Sequence, residues 1–370
     1  MKFDFFMPAR VITGKGAVPN NSGVFRSFGK TCLIVTGGAS AKKCGALDDC
    51  ISALEREQIG YSVFSGVEPN PKTETCFRAG QLARETGAQF IVGIGGGSPM
   101  DAAKAVAIYA ANPEMDELAI YKRSIPANAL PVILIGTTAG TGSEVTGVSV
   151  LTNSETGKKK SISGPDCYAA VSFCDYSYTL NVPETVTVST ALDAFAHAAE
   201  SYLASSANDL SRVYAARAMQ LLRPFLCALG EPFSADEARR EALYTASIYA
   251  GLAINISGTC FPHTVGYYLT ENYGVPHGFA CIAFMPELLR RANKYCPETL
   301  GAMEKDLALS AKDLAVLLAK GVRFSVSVSA DEAISAEYPA SIKNFDRSPG
   351  GFTAADARAA LAAFRSDFPL

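Results

Sequence analysis

The chain is predicted to fold as an α/β N-terminal domain with a parallel, Rossmann-like sheet, followed by an all-α C-terminal domain. Three observations predict it. Short β-rich runs alternate with helical patterns through the first half, two glycine-rich loops follow predicted strands, and beyond Val182-Pro183 the pattern is almost wholly helical. Strand–helix alternation is what a parallel sheet covered on both faces by its crossovers requires. At 370 residues the chain exceeds one compact core, and the change of character places the boundary between 1–182 and 183–370.

The elements follow in order. Thr31-Cys32-Leu33-Ile34-Val35 is a buried-strand run closed by Gly37-Gly38. Leu47, Ile51 and Leu54 share one face of a helix over 46–57, and 61–64 is the next strand, with a turn at Asn70-Pro71. A helix over 76–86 leads to a strand over 89–94 that runs into Gly95-Gly96-Gly97, and 130–135 is a further buried strand. The second half carries helical patterns over 189–204, 210–229, 236–257, 284–294, 311–320 and 353–364, separated by Gly, Pro and polar clusters.

Composition narrows the function. Hydrophobic residues make up 48% and charged residues 19%, as in a globular protein with a sizeable interior. A net charge of −3 and a pI near 5.8 argue against nucleic-acid binding, and Lys158-Lys159-Lys160 reads as a solvated turn. The ten cysteines include no Cys-x-x-Cys pair and read as reduced, buried small hydrophobes. Asp4 falls early and no apolar leader run develops, so the expectation is a cytoplasmic protein with no membrane span.

The three histidines are His197, His263 and His277. His197 follows Asp193 by four residues, a spacing that puts both on one helical face and lets them point at the same cation. A second helix and the turn after it supply His263 and His277. A lone histidine is usually a surface or core residue, but three together with this spacing point to one shared metal site. All these residues lie in the helical half, so an active site is expected in the cleft between the two domains.

Gly93-Ile94-Gly95-Gly96-Gly97-Ser98-Pro99-Met100-Asp101 follows a strand and opens a helix. Glycines there let backbone amides approach a phosphate, Pro99 suits a first helical turn, and the helix N-terminus favours an anion. The run is neither G-x-G-x-x-G nor a Walker loop; the plain alternative is a tight turn with no ligand. A second loop, Gly136-Thr137-Thr138-Ala139-Gly140-Thr141-Gly142-Ser143-Glu144, follows the strand ending at Ile135. Two such loops at the C-terminal ends of parallel strands fall where α/β sheets bind nucleotides.

With these motifs in this order, together with Leu192-Asp193-Ala194-Phe195-Ala196-His197-Ala198-Ala199-Glu200 and Val275-Pro276-His277-Gly278, the chain resembles the iron-containing (group III) alcohol dehydrogenase family, most of all its 1,3-propanediol and butanol dehydrogenase-like members. The resemblance covers nearly the full length and implies a dehydroquinate synthase-like fold. It implies that Asp193, His197, His263 and His277 hold one divalent ion, Fe(II) by family and Zn(II) by ligand type equally well. Three neutral imidazoles and one carboxylate leave a charge of about +1 to stabilise an alkoxide. It also implies that Gly95, Gly96, Gly97 and Ser98 line a pyrophosphate. It further implies that Asp101, Thr137, Thr138, Thr141 and Ser143 lie nearby, with Lys160 at the position of a family lysine close to the cofactor.

NAD-preferring relatives carry an aspartate after the first strand, where this chain has Gly37-Gly38-Ala39-Ser40-Ala41-Lys42-Lys43. Gly37, Ser40 and Lys42 therefore predict NADP(H) in preference to NAD(H). One departure is Tyr267, which replaces a pocket histidine of many relatives. A phenol titrating near about 10 is a poor base at neutral pH, so Tyr267 either relays a proton or merely packs. The implied activity is hydride transfer between NADP(H) and a small primary alcohol or diol, or its aldehyde, by a homodimer. The alternatives are a glycerol-type polyol dehydrogenase, a dehydroquinate synthase-like lyase, or a silent binder.

Overall fold

The computed structural model describes residues 3–122, 128–233, 236–322, 324–339 and 342–364. The chain divides into two compact units, and the division is not a single cut. One unit is Phe6–Val182 with Ala235–Tyr244, and the other is Pro183–Ser234 and Thr245–Leu370 with Met1–Phe5.

Among the described residues the first unit contains strands β1 (Arg10–Thr13), β2 (Thr31–Gly37), β3 (Gly60–Val67), β4 (Phe90–Gly95), β5 (Val132–Gly136), β6 (Val148–Thr152), β7 (Lys159–Ser163) and β8 (Val171–Cys174). Six of them form one parallel sheet in the order β1-β8-β5-β4-β2-β3, while β6 and β7 form a separate antiparallel pair. Helices α1 (Ser40–Lys43), α2 (Ala46–Arg56), α3 (Thr73–Glu85) and α4 (Gly97–Ala111) belong to this unit.

In β2, β4 and β5 alternate residues feed opposite, covered faces, which is why these strands read as continuous apolar runs. Leu33 and Val35 join a core with Met100 and Val106 of α4. Cys32 and Ile34 pack on the other side with Cys50 and Leu54 of α2. The chain thus leaves β2 towards one face and β4 towards the other. Because these two strands are parallel neighbours, the order of the strands reverses between them, and the crevice beyond their carboxyl ends is where such sheets take ligands.

The remaining helices are α5 (Glu184–Leu203), α6 (Asp209–Cys227), α7 (Glu237–Ser257), α8 (Phe261–Tyr273), α9 (His277–Ile282), α10 (Met285–Tyr295), α11 (Pro297–Leu307), α12 (Ala311–Gly321), α13 (Ala330–Ser335), α14 (Lys343–Arg347) and α15 (Ala354–Ala363). α5 is buried along nearly its whole length, consistent with its lack of charge between Glu184 and Asp193. No helix of the described residues is long and apolar enough to cross a membrane.

The predicted strands and the long helices stand within a few residues of their expected bounds. Strands β1, β6, β7 and β8 were not anticipated. The basic run is no turn, since Lys159 and Lys160 lie in β7. His277, expected in a turn, is the first residue of α9.

Candidate metal centre and nucleotide cradle

α5 presents Asp193 and His197 one turn apart, both buried. α8 presents His263, and α9 opens on His277. Two glycines let these helices close in. A Cβ added at Gly278 would lie 1.8 Å from the Ser189 carbonyl oxygen and 2.9 Å from the Asp193 nitrogen, so α9 rests directly on the α5 backbone. A Cβ at Gly266 would lie 3.0 Å from the Ala280 carbonyl carbon, so α8 also packs against the α9 backbone, less tightly.

The result is one carboxylate oxygen ringed by imidazoles. Asp193 Oδ1 lies 3.9 Å from His197 Nε2, 3.5 Å from His263 Nε2 and 3.9 Å from His277 Nε2. These separations are too long for good hydrogen bonds. They are close to the edge of about 3.4 Å that four donors make around one ion at bond lengths of about 2.05 Å. Asp193 Oδ1 and His263 Nε2 are buried and have no hydrogen-bond partner, an arrangement that costs stability unless a cation satisfies both. The His197 ring stacks on His263 with centroids 4.5 Å apart. The structure thus places Asp193 within 3.9 Å of all three imidazoles, although the donor atoms mutually within 4.8 Å include those of Asp193, His263 and His277 and not His197; this donor chemistry fits a divalent ion.

Burial alone would raise the Asp193 carboxyl, but the imidazoles, His197 foremost, outweigh it and hold it well below the carboxylate range. Burial likewise pushes the Glu200 carboxyl up, opposed chiefly by His263.

Two residues of the centre were not assigned from sequence. Glu200 is fully buried; its Oε1 lies 2.6 Å from His263 Nδ1, and its Oε2 accepts the Cys260 amide at 2.8 Å. We assign the Nδ1 proton to this contact, which leaves Nε2 as the donor atom turned to Asp193, the usual arrangement behind a metal-facing imidazole. Glu200 was legible, because positions 193, 197 and 200 follow the i, i+4, i+7 stripe of one helical face. The second is Cys281, four residues after His277. One donor atom each from Asp193, His263, His277 and Cys281 all lie within 4.8 Å of one another. Tyr267, one turn after His263, stacks on the His277 ring with centroids 5.2 Å apart.

In the α/β unit, β4 ends at Gly95 and α4 begins at Gly97, with Gly96 between them and no side chain capping the helix. The first-turn amides are left for an anion. Gly95 has φ +151°, and a Cβ there would lie 2.6 Å from the Pro99 ring. The second loop packs onto the first: added Cβ atoms at Gly96 and Gly97 would lie 2.9 Å from Thr138 Oγ1 and 2.7 Å from Thr141 Cγ2. The Thr137 amide donates to the Gly95 carbonyl at 2.9 Å.

Several predicted cofactor side chains are engaged within the protein. Ser98 Oγ accepts the Asn70 amide at 3.1 Å. Asp101 accepts the Ser143 hydroxyl at 2.6 Å and the Val150 amide at 2.9 Å. Fully buried Lys104 donates to Ser143 Oγ and to the carbonyls of Ser143, Thr146 and Val148 at 2.7–2.9 Å, lashing the second loop to α4. Lys160 lies over the Tyr121 ring, and it is the neighbouring Lys159 whose charge acts on Asp101. Gly37 ends β2 beside Pro99, whose Cγ would lie 3.5 Å from a Cβ added there, so the β2 end adjoins the glycine loop. Ser40, Lys42 and Lys43 follow it, all exposed.

A six-stranded parallel α/β unit and a helical unit built around a histidine–carboxylate cluster define a class of metal-centred, nicotinamide-dependent oxidoreductases, and the chain belongs to the iron-containing alcohol dehydrogenase family. The model of the iron-containing alcohol dehydrogenases matches residues 8–176, and that of the family's C-terminal region matches 187–329. The chain is 37% identical to 1,3-propanediol dehydrogenase of Citrobacter freundii over 71% of its length and 68% of the relative's. It is 28% identical to NADPH-dependent butanol dehydrogenase of Clostridium saccharobutylicum over 83% and 78%. Among solved structures, an iron-containing alcohol dehydrogenase of Thermotoga maritima superposes with a TM-score of 0.87 at 32% identity, covering 97% of this chain and 98% of that one. Sulfoacetaldehyde reductase of Bifidobacterium kashiwanohense in complex with NAD+ superposes with a TM-score of 0.85 at 26% identity over the whole of both. The family is one of alcohol oxidoreductases that use iron and a nicotinamide cofactor.

Proposed function

We propose that the chain interconverts a small primary alcohol or diol and its aldehyde with NADP(H), and that Asp193, His197, His263 and His277 hold the metal. The observation that carries the metal assignment is the ring of three Nε2 atoms 3.5–3.9 Å from one buried, hydrogen-bond-free oxygen of Asp193. A divalent ion held there supplies the positive charge that stabilises an alkoxide or polarises an aldehyde carbonyl.

The protein's own part is positional. Glu200 fixes the His263 tautomer, and Tyr267 stacks on the more exposed His277 ring to hold its plane. We assign Tyr267 to this packing rather than to proton transfer. In the α/β unit the uncapped amides after Gly96 suit a pyrophosphate. The acid-free, exposed stretch after β2, with Ser40 and Lys42, suits a ribose 2′-phosphate. The overall balance is alcohol plus NADP+ giving aldehyde, NADPH and one proton released to water.

The test is anaerobic reconstitution with Fe(II) or Zn(II), followed by NADPH and NADH oxidation against short-chain aldehydes. Turnover that needs the metal and prefers NADPH is expected. Absence of net hydride transfer by a stoichiometrically loaded protein would overturn the proposal and favour the lyase reading. Equal use of NADH would overturn the cofactor preference alone.

A further inference from the structure

We propose that Lys104 is a positioning residue of the nucleotide cradle, its buried ammonium serving as a tethered monovalent cation around which the second loop closes. The inference rests on the nucleotide reading above and concerns how this chain holds that loop.

Lys104 lies in the middle of α4, and its side chain is fully buried. Its Nζ meets the carbonyl oxygens of Ser143, Thr146 and Val148 at 2.8, 2.9 and 2.7 Å, and Ser143 Oγ at 2.8 Å. The Ser143 hydroxyl donates its own proton to Asp101 at 2.6 Å, so Oγ accepts from the ammonium. Asp101 Oδ1 itself lies 3.9 Å from Nζ. An ammonium carries three protons, so this set of oxygens exceeds what directed hydrogen bonds require. Oxygens that converge on one point repel unless a charge sits among them, and cages of carbonyls replace the hydration shell of a potassium ion in the same way.

The backbone is shaped to make that cage. Gly142, at φ +61°, turns the chain into a single 3-10 turn, Ser143–Val145, and Thr146 then runs extended towards β6. The carbonyls at 143, 146 and 148 thereby face one point. The loop so closed is the one whose Thr138 and Thr141 pack on Gly96 and Gly97, at the amides that suit a pyrophosphate. Burial pushes the Asp101 and Glu144 carboxyls up, and the Lys104 charge draws both back, so one ammonium steadies two enclosed acids beside the loop.

A neutral brace and a tethered cation make different demands. A brace is satisfied by any donor of the right reach, whereas a cage is satisfied by charge, attached to the chain or free. Lys104→Met keeps most of the stem and removes the head, leaving the oxygens a space for a potassium or ammonium ion. Lys104→Gln keeps two donor protons and discards the charge.

The experiment is a fluorescence titration of NADPH into full-length, Zn(II)-loaded wild type, Lys104→Met and Lys104→Gln. Each is run in potassium, ammonium, lithium and choline chloride at one ionic strength of about 0.1 M. Both variants should bind NADPH about tenfold more weakly than wild type in lithium or choline chloride. Potassium and ammonium should bring Lys104→Met back to within about threefold of wild type, raise its melting temperature and leave wild type unchanged. Affinity of Lys104→Met that ignores the identity of the cation overturns the proposal and leaves the nucleotide reading standing. So does wild-type affinity in Lys104→Gln. If Lys104→Met folds in none of the salts, Lys104→Gln decides: binding about tenfold weaker by the folded protein upholds the role of charge. Failure of both variants to fold in every salt makes Lys104 a brace of the whole unit and overturns it too. Absence of NADPH binding by wild type overturns the nucleotide reading itself.

Discussion

Asp193 and Asp101 are both largely enclosed carboxylates close to a functional site, and the chain treats them in opposite ways. Asp193 is ringed by imidazoles at separations of 3.5–3.9 Å, and one of its oxygens has no hydrogen-bond partner. Asp101 is satisfied from within, by the Ser143 hydroxyl and the Val150 amide, with the Lys104 ammonium 3.9 Å away. In the helical unit, side chains are held ready for a ligand and the backbone is spent on bringing helices together. In the α/β unit, polar side chains brace the loops, and the backbone amides at the start of α4 are what remain for a ligand. A cation is bound by side chains and a phosphate by main chain, and each unit reserves the corresponding groups.

This contrast is broken most severely at two positions, Gly278 and Lys104. Gly278→Ala drives a methyl group into the α5 backbone, 1.8 Å from the Ser189 oxygen. Overpacking of this kind costs about 3 kcal/mol, so the melting temperature should fall by about 6–12 °C. Bound metal should fall below about a tenth of wild type while nucleotide affinity holds, as metal analysis and a fluorescence titration with NADPH would show.

Lys104→Met is the mirror experiment. It strips partners from three carbonyls and removes the countercharge of Asp101, a loss of about 3–5 kcal/mol for a buried pair. Calorimetry should record the destabilisation, and NADPH binding should weaken with metal content unchanged. A smaller effect is expected of Gly37→Asp, whose Cβ meets the Val67 backbone carbonyl at 3.1 Å. The NADPH-to-NADH preference should drop about tenfold, the equivalent of about 1.4 kcal/mol, in steady-state assays. An unchanged ratio would place the 2′-phosphate elsewhere.

Legibility in the sequence followed the same divide. The buried parallel strands β2, β4 and β5 stood out because both faces are apolar, and the long helices because their periodicity runs over many residues. β8 escaped notice because four residues are too few to establish a pattern, and β1 because it is equally short and partly exposed at the sheet edge. β7 was hidden by its lysines. At the metal centre the histidines were conspicuous by rarity. The internal engagement of Asp101, Ser98 and Ser143 could not be read at all, since it depends on loops brought together across the sheet.

The most direct test of the account is metal content and NADPH affinity measured together on His277→Ala. His277 is the ligand candidate with a side chain 26% exposed, so its truncation perturbs folding least. The account predicts at least a tenfold loss of bound metal with the NADPH dissociation constant within about twofold of wild type, a change of about 0.4 kcal/mol or less. Retention of a full equivalent of metal, or loss of metal and nucleotide in equal measure, would contradict it.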